Sequence, residues 1–198
     1  IDAGPAIATQ LSFVAAVAVR EAVAKLFPHL EPRIKWPNDL LIDGAKFCGL
    51  LPEVVAQDPT IIALGCGINI AHAPQGTPYP VTFLLFRHPG ESRGPHQPWI
   101  PAFAGMTEWV GRVFAALDRE MEKHLAIWDE GRGFADIRAA WSAHALGING
   151  ACRTEFGDGI FRGLAADGAL ILEMPDGRAK HIHSGEVRFA DVEALRQR

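Results

Sequence analysis

Residues 34–51, which read IKWPNDLLIDGAKFCGLL, constrain the fold more than any other part of the chain. The apolar residues 40–42 are followed by Asp43 and Gly44, and a second apolar run begins at Phe47. An Asp-Gly pair between two apolar runs is typical of a tight hairpin turn, because both turn residues need a positive φ. The segment therefore predicts two antiparallel strands.

The same hairpin carries charged and polar side chains that suit an anionic ligand. Lys35, Asn38 and Asp39 lie at the start of the segment, and Lys46 follows the turn. A lysine ammonium neutralises a carboxylate or a phosphate, and an aspartate oxygen binds a hard cation. These residues on a rigid frame indicate a ligand that is negatively charged and associated with a metal, and a nucleotide is the natural candidate.

Three short motifs, taken together, resemble the catalytic core of biotin protein ligases, which share a superfamily with lipoate ligases. The first is Lys-Trp-Pro-Asn-Asp at 35–39, the second is Lys46 with Gly-Leu-Leu at 49–51 and Glu53, and the third is Gly-Cys-Gly-Ile-Asn at 65–69. Each motif alone is weak because short Gly-x-Gly runs are common. Their shared order and spacing make the resemblance specific.

The resemblance implies a site, residue by residue. Lys46 is the implied catalytic residue, because a fixed cation stabilises the charge that develops near the α-phosphate. Asp39 is the implied Mg²⁺ ligand. The residues implied to bind nucleotide or biotin are Lys35, Trp36, Asn38, Asp39, Gly49, Gly65, Gly67 and Asn69.

Each of these residue types also has an ordinary structural interpretation. A strand lysine is usually solvated, so Lys35 could equally form a surface pair. Residues 38–39 would also favour a side-chain-stabilised turn after a proline. Trp36 is expected to pack beneath the hairpin rather than to stack on adenine. Asn69 could simply end a strand.

The resemblance implies an enzyme that uses ATP and Mg²⁺ to activate biotin as biotinyl-5′-adenylate. The acyl group would then pass to one lysine of the biotin-carboxyl-carrier domain of a carboxylase. A lipoate protein ligase is the alternative of the same class, and the Lys-Trp-Pro-Asn-Asp run at 35–39 fits the biotin branch better. A third hypothesis is a non-catalytic remnant that folds or binds nucleotide without turnover.

The apolar periodicity predicts an α+β fold for residues 1–147. Apolar residues at helical spacing alternate with short strand-like runs, so we expect a mixed β-sheet packed with helices, the catalytic fold of the biotin/lipoate ligases. The predicted helices are 9–27, 109–128 and 134–144, and the predicted strand segments are 34–36, 40–42, 49–55 and 60–70.

Residues 148–198 show a different pattern. Short apolar runs alternate with Gly-Asp and Asp-Gly turns at 157–159, 167–168 and 176–177. Such spacing predicts a small antiparallel β-barrel, and the resemblance implies that it is the SH3-like module of the ligases.

The chain departs from the family pattern in two places. Residues 86–107 contain four prolines and no amphipathic period, so we expect an inserted, repeat-like surface loop. The sequence begins at Ile1, past the position of the glycine- and arginine-rich loop of the family, so we expect an N-terminally truncated ligase.

Composition excludes some classes of function. A net charge of −4 offers no basic surface, so nucleic acid is not an expected partner. The three cysteines Cys48, Cys66 and Cys152 are odd in number and far apart, which favours a reducing compartment. The apolar run at 13–19 is too short to span a bilayer, so neither a membrane partner nor a membrane location is expected. These features predict a cytoplasmic protein.

Overall fold

The computed structural model describes residues 5–57, 60–85 and 104–190, and it describes side chains within 9–56, 61–85 and 107–190. Helix α1 (Pro5–Leu26) runs through the centre of the core. Its residues from Phe13 to Val19 are all buried, because neighbouring elements cover the helix on several sides. A helix that is apolar around its whole circumference is stable only in such a surrounded position.

The first sheet contains strands β1 (Arg33–Lys35), β2 (Asp39–Ile42), β3 (Ala45–Gln57) and β4 (Thr60–Ile68), in that spatial order. Asp43 and Gly44 have φ values of 49° and 77° and join β2 to β3. The predicted hairpin and its turn are therefore confirmed. The four strands pair antiparallel, and the parallel contacts found among the described residues are two isolated bridges, Ile34 with Ala145 and Lys46 with Val81.

Two helices follow the first sheet along the chain. Helix α2 (Ala104–Trp128) packs on α1, and helix α3 (Phe134–Ala143) follows a short 3-10 turn at Asp129–Gly131. The predicted inserted loop is wrong for residues 104–107, which belong to α2. These residues come after the last proline of the segment, so no proline ring clashes with the helix or removes an N–H from its interior. Residues 86–103 lie outside the described part of the chain.

A second antiparallel sheet follows α3. It contains β5 (Ala151–Thr154), β6 (Gly157–Leu164), β7 (Leu170–Glu173), β8 (Ala179–Ile182) and β9 (Val187–Phe189), in the spatial order β8-β7-β6-β5-β9. Gly168 and Gly177 have positive φ in two of the turns that the sequence predicted. The predicted turn at 157–159 is wrong, because these residues pair with β5 as the start of β6 and the turn lies at 155–156. The α+β class and the antiparallel C-terminal strands are confirmed. Closure into a barrel, and a domain division at residue 147, stay predictions.

The two sheets share one hydrophobic core. The ring of Phe13 on α1 lies 5.7 Å from that of Phe134 and 5.6 Å from that of Trp141. The Trp36 indole N–H donates a 3.4 Å hydrogen bond to the carbonyl of Gly168, between β6 and β7. The position of the first hairpin therefore depends on the second sheet. Among the described residues, none of the helices is both long enough and apolar enough to cross a membrane.

A polar cluster interrupts the apolar contact between α1 and α2. Lys25 Nζ lies 2.6 Å from Glu120 Oε1, and Glu120 is only 7% exposed. Burial acts to raise the pKa of Glu120, but the hydrogen bond and charge of Lys25 and the charges of Lys123 and His124 outweigh it, so the pKa is lowered. Glu120 is therefore ionised inside the helix interface at neutral pH.

His124 lies in the same cluster and is 5% exposed. Neither of its ring nitrogens has a hydrogen-bond partner among the residues that the structure describes. Burial lowers the pKa of His124, the charges of Lys123 and Lys25 lower it further, and Glu120 and Glu21 oppose the change. The folded protein therefore favours the neutral imidazole.

We expect His124 to make the protein sensitive to acid. The lowered pKa of His124 in the folded protein makes the free energy of unfolding depend on pH. This contribution to stability is fully present above the pKa of histidine in the unfolded chain, near 6.5. It is lost as the pH falls from there through the pKa in the folded protein. Between pH 7.5 and 5.5 the free energy of unfolding in urea should fall by about 1 kcal/mol more in the wild type than in His124→Leu. At pH 7.5 the variant should be equally or more stable, because no hydrogen bond is lost.

The matched control is His181→Gln, at an exposed position of β8. It should keep the wild-type dependence of stability on pH. Identical pH slopes in the wild type and in His124→Leu would contradict this account of the cluster.

Candidate functional site

The turn between β1 and β2 joins two residues that line the candidate site, Lys35 and Asp39. The Trp36–Pro37 peptide bond in this turn is cis, and Lys35 faces Asp39 across the strand pair. The side-chain amide of Asn38 donates a 2.6 Å hydrogen bond to the Leu50 carbonyl, and the Leu50 N–H donates a 2.9 Å bond back to the Asn38 carbonyl. Asn38 therefore fastens the turn to β3.

A bulge in β3 places the charged residues on one face. Leu40 pairs with Cys48 and Leu41 pairs with Lys46, so Phe47 is an extra residue without a partner on β2. Side chains three apart in a regular strand point to opposite faces, but a one-residue bulge reverses the alternation. Lys46 and Gly49 consequently share a face, together with Asp39.

An ion pair joins the two strands on this face. Lys46 Nζ lies 2.5 Å from Asp39 Oδ1, and the two side chains are 26% and 21% exposed. The lysine chain passes over Gly49, where an added Cβ would lie 3.0 Å from Nζ and 3.1 Å from Cε. Glycine at this position therefore leaves room for the lysine to reach the carboxylate.

The ion pair faces a cavity of about 420 Å³ between the first hairpin and the C-terminal sheet. Lys35 also lines it, and so do Glu186 and Arg188 from the other side. The cavity is thus lined by lysines of the first sheet and by residues in and next to β9. Its remaining lining residues are Leu41, Gly44, Pro78, Tyr79, Pro80, Val187 and Phe189.

A connecting segment, residues 78–82, closes one wall of the cavity. The Lys46 N–H donates to the Pro80 carbonyl and the Thr82 N–H donates to the Lys46 carbonyl, each at 2.9 Å. The Lys46 ammonium nitrogen lies 5.3 Å from the centre of the Tyr79 ring. Sequence reasoning missed Tyr79 as a site residue, because its contact with Lys46 depends on pairing between distant parts of the chain.

Asn69 holds the far end of this segment. Its side-chain amide donates a 3.0 Å hydrogen bond to the Thr82 carbonyl, and its own carbonyl accepts a 3.0 Å bond from the Leu84 N–H. Its N–H donates a 2.8 Å bond to the carbonyl of Phe47, the bulge residue. The asparagine of the third motif therefore connects the bulge to the wall of the cavity.

Gly65 and Gly67 extend the face that carries Gly49. Gly67 pairs with Gly49, and Gly65 pairs with Leu51 on β3. Both β4 glycines are exposed, and the nearest atom to an added Cβ on Gly67 would be 3.7 Å away. The three glycines leave a flat face on which a ligand can approach the backbone closely.

Trp36 does not reach the cavity. It is 1% exposed and packs in the core, with its indole N–H directed at Gly168. The packing interpretation of Trp36 agrees with this position, and a stacking contact with a nucleotide does not. We therefore leave Trp36 out of the proposed ligand contacts.

The cysteines near the site are buried hydrophobic groups. Burial raises the pKa of the Cys48 thiol strongly, with a further increase from nearby Cys66, and burial also raises the pKa of Cys66. Both thiols therefore stay protonated at neutral pH, and a protonated thiol is a poor nucleophile.

Asp39 fits a magnesium ion only as a single ligand. The described residues contain no group of three or more His, Cys, Asp or Glu side chains placed to hold a metal ion. Magnesium in nucleotide sites commonly takes one or two carboxylates and completes its shell with phosphate oxygens and water. One carboxylate beside a cavity is compatible with that mode of binding.

Two protein-family models match the chain. The biotin/lipoate A/B protein ligase family matches residues 3–69, which include all three motifs, and the biotin protein ligase C-terminal domain matches residues 155–189. The biotin--[acetyl-CoA-carboxylase] ligase of Paracoccus denitrificans is 34% identical over 94% of this chain and 75% of its own length.

More distant relatives agree with these matches. The bifunctional ligase/repressor BirA of Escherichia coli strain K12 is 32% identical over 98% of this chain, which spans 57% of that protein. The solved structure of the Aquifex aeolicus biotin protein ligase in complex with biotin and ATP has a TM-score of 0.67 at 20% identity, over 92% of this chain and 72% of that one. At 20% identity, this structural similarity shows that the two chains share a fold.

We expect Asn38→Ala to destabilise the protein, because it removes the bond that holds the turn to Leu50. A side-chain hydrogen bond of this kind contributes about 0.5 to 1.5 kcal/mol to the free energy of unfolding. Urea unfolding should show that loss, and the exposed loop variant Gln75→Ala should stay within about 0.5 kcal/mol of wild type. An unchanged Asn38→Ala protein would mean that the amide does not hold the turn.

Proposed function

This chain belongs to the biotin protein ligase family, and we propose that it attaches biotin to a lysine of a biotin-carboxyl-carrier domain, using ATP, through biotinyl-5′-adenylate. The observation that carries the proposal is the Lys46–Asp39 pair on the wall of a 420 Å³ cavity, inside the motifs that resemble the ligase core. The 34% identity with a biotin--[acetyl-CoA-carboxylase] ligase supports the same reaction class.

In the first step a carboxylate oxygen of biotin attacks the α-phosphorus of ATP, and the bond to pyrophosphate breaks. Negative charge accumulates on the α-phosphate oxygens during this displacement. Lys46 supplies a preorganised positive charge, because its backbone is fixed on both sides by the hydrogen bonds to residues 80 and 82. Lys35 adds a second lysine to the lining of the same cavity.

Magnesium fits this step with Asp39 as its single protein ligand. The ion, when bound with ATP, neutralises part of the phosphate charge. Asp39 already pairs with Lys46, so the carboxylate also aligns the lysine that we assign to the α-phosphate. The two assignments for Asp39 are compatible because a carboxylate has two oxygens.

In the second step the neutral amine of the carrier lysine attacks the acyl carbon of the adenylate. A C–N bond forms, the bond to AMP breaks, and the amine loses one proton. Lys46 stabilises the AMP phosphate as it leaves, for the same electrostatic reason as in the first step. The carrier domain is the partner that this step requires.

The glycine face gives the bound molecules access to the backbone. Gly49, Gly65 and Gly67 lack side chains on the same side of the sheet as Lys46, so we assign this face to biotin and the nucleotide. Asn38 and Asn69 support this surface by holding the turn and the connecting segment in place. Their part in ligand binding is therefore to position the backbone.

The two alternative hypotheses are less well supported. A lipoate ligase lacks the specific support that the biotin branch has from the biotin protein ligase C-terminal domain at residues 155–189. A non-catalytic remnant has no observation in its favour within the site, where the lysine, the carboxylate and the glycines of the motifs lie together.

We expect Lys46→Gln to lower the rate of ATP–pyrophosphate exchange in the presence of biotin. Removing one preorganised charge contact from a transition state typically costs a factor of about 10² to 10³. Because Lys46 is partly exposed, its loss should change the thermal stability much less than the rate.

Lys180→Gln is the matched control, since this lysine is exposed on β8 and does not line the cavity. It should exchange at the wild-type rate. Exchange by Lys46→Gln within about threefold of wild type would remove Lys46 from the mechanism.

A further inference from the structure

We propose that Tyr79 is a positioning residue for Lys46, which holds the ammonium over the cavity through the face of its ring; the catalytic consequence rests on the proposed function. Tyr79 lies on the connecting segment, residues 78–82, and lines the cavity with Lys46. Neither the Asp-Gly hairpin nor the glycine motifs contain it.

The ammonium of Lys46 lies near two groups that attract positive charge. Nζ is 2.5 Å from Asp39 Oδ1 and 5.3 Å from the centre of the Tyr79 ring. A cation within about 6 Å of a ring centre is attracted by the negative face of the aromatic ring. The ring therefore adds a second attraction for the ammonium beside that of the Asp39 carboxylate.

The backbone fixes the distance between the two residues. Lys46 makes hydrogen bonds with both Pro80 and Thr82, in a parallel bridge centred on Val81. Thr82 is held in turn by the side chain of Asn69. The ring therefore stands on a segment that is tied to the peptide groups of Lys46 itself.

An aromatic ring beside Lys46 suits a lysine whose ammonium must turn from a carboxylate towards a phosphate. A lysine has a flexible four-carbon chain, and an exposed ion pair alone restrains such a chain weakly. An aromatic face attracts the cation without a fixed hydrogen-bond direction, so the ammonium can turn towards a phosphate and keep the contact. Phenylalanine would preserve this contact, whereas leucine would preserve bulk and lose the aromatic face.

The first experiment measures Lys46 directly, in the chain without any ligand. The probe is the N-hydroxysuccinimide ester of acetic acid, and peptide mass spectrometry gives the acetylation rate of each lysine. Contact with the ring restrains the amine beside the cavity wall, so loss of that contact should leave the amine more accessible to the reagent. Tyr79→Leu should accelerate acetylation of Lys46 by about two- to fivefold, and Tyr79→Phe should bring the rate back towards wild type.

A second aromatic contact in the chain provides the matched control. Lys180 Nζ lies 4.5 Å from the centre of the Phe156 ring, and Phe156 is not part of the cavity. Phe156→Leu should accelerate acetylation at Lys180 and leave Lys46 unchanged. The proposal fails if Tyr79→Leu leaves the rate at Lys46 unchanged, or if it accelerates every lysine equally, since that result would indicate general loosening.

The second experiment asks whether the contact serves catalysis. In ATP–pyrophosphate exchange, Tyr79→Leu should lower kcat about two- to fivefold with the KM for ATP unchanged, and Tyr79→Phe should restore most of the loss. In a Lys46→Gln background, Tyr79→Leu should have no further effect, because the two residues act as one unit. A loss that persists there, or that appears in KM, would mean that Tyr79 contacts the ligand itself and would overturn the positioning role.

The two experiments separate the two proposals. A wild-type chain that catalyses no exchange contradicts the proposed function, while the acetylation rates still decide whether Tyr79 holds Lys46. Active exchange with unchanged Lys46 acetylation in Tyr79→Leu supports the ligase and contradicts the positioning role.

Discussion

The bulge at Phe47 is the constraint on which the candidate site depends. Phe47 has no partner on β2, so the alternation of β3 is reversed between Lys46 and Gly49. Phe47 and Cys48 are both buried as a result, and their burial holds the irregular strand in place. Without the extra residue, Lys46 and Gly49 would point to opposite faces, and the lysine could not pass over the glycine to reach Asp39.

The motif residues have two kinds of role: some carry charge at the cavity, and others hold the backbone around it. Lys46 and Asp39 present charges to the cavity, whereas the amides of Asn38 and Asn69 bind backbone carbonyls of neighbouring segments. A polar residue of these motifs can therefore serve the fold of the site as well as its chemistry. The two asparagines fix the turn and the wall that surround Lys46.

The C-terminal sheet takes part in the same architecture. The Gly168 carbonyl accepts the hydrogen bond of Trp36, which lies directly under the first hairpin, and Glu186 and Arg188 line the opposite wall of the cavity. The second sheet thus contacts the hairpin through Trp36 and also lines the opposite wall of the cavity. Buried residues of both sheets belong to one hydrophobic core.

The sequence by itself determined the hairpin with its Asp43 turn, the α+β class, the C-terminal turns at 167–168 and 176–177 and the family, because these depend on residues that are close along the chain. Only the tertiary structure decided the bulge, the contact of Lys46 with Tyr79, the hydrogen bond from Trp36 to Gly168 and the start of α2. The physical reason is that pairing and burial join distant segments. Residue 46 meets residue 81 through a backbone bridge, and no local pattern of side chains encodes that register.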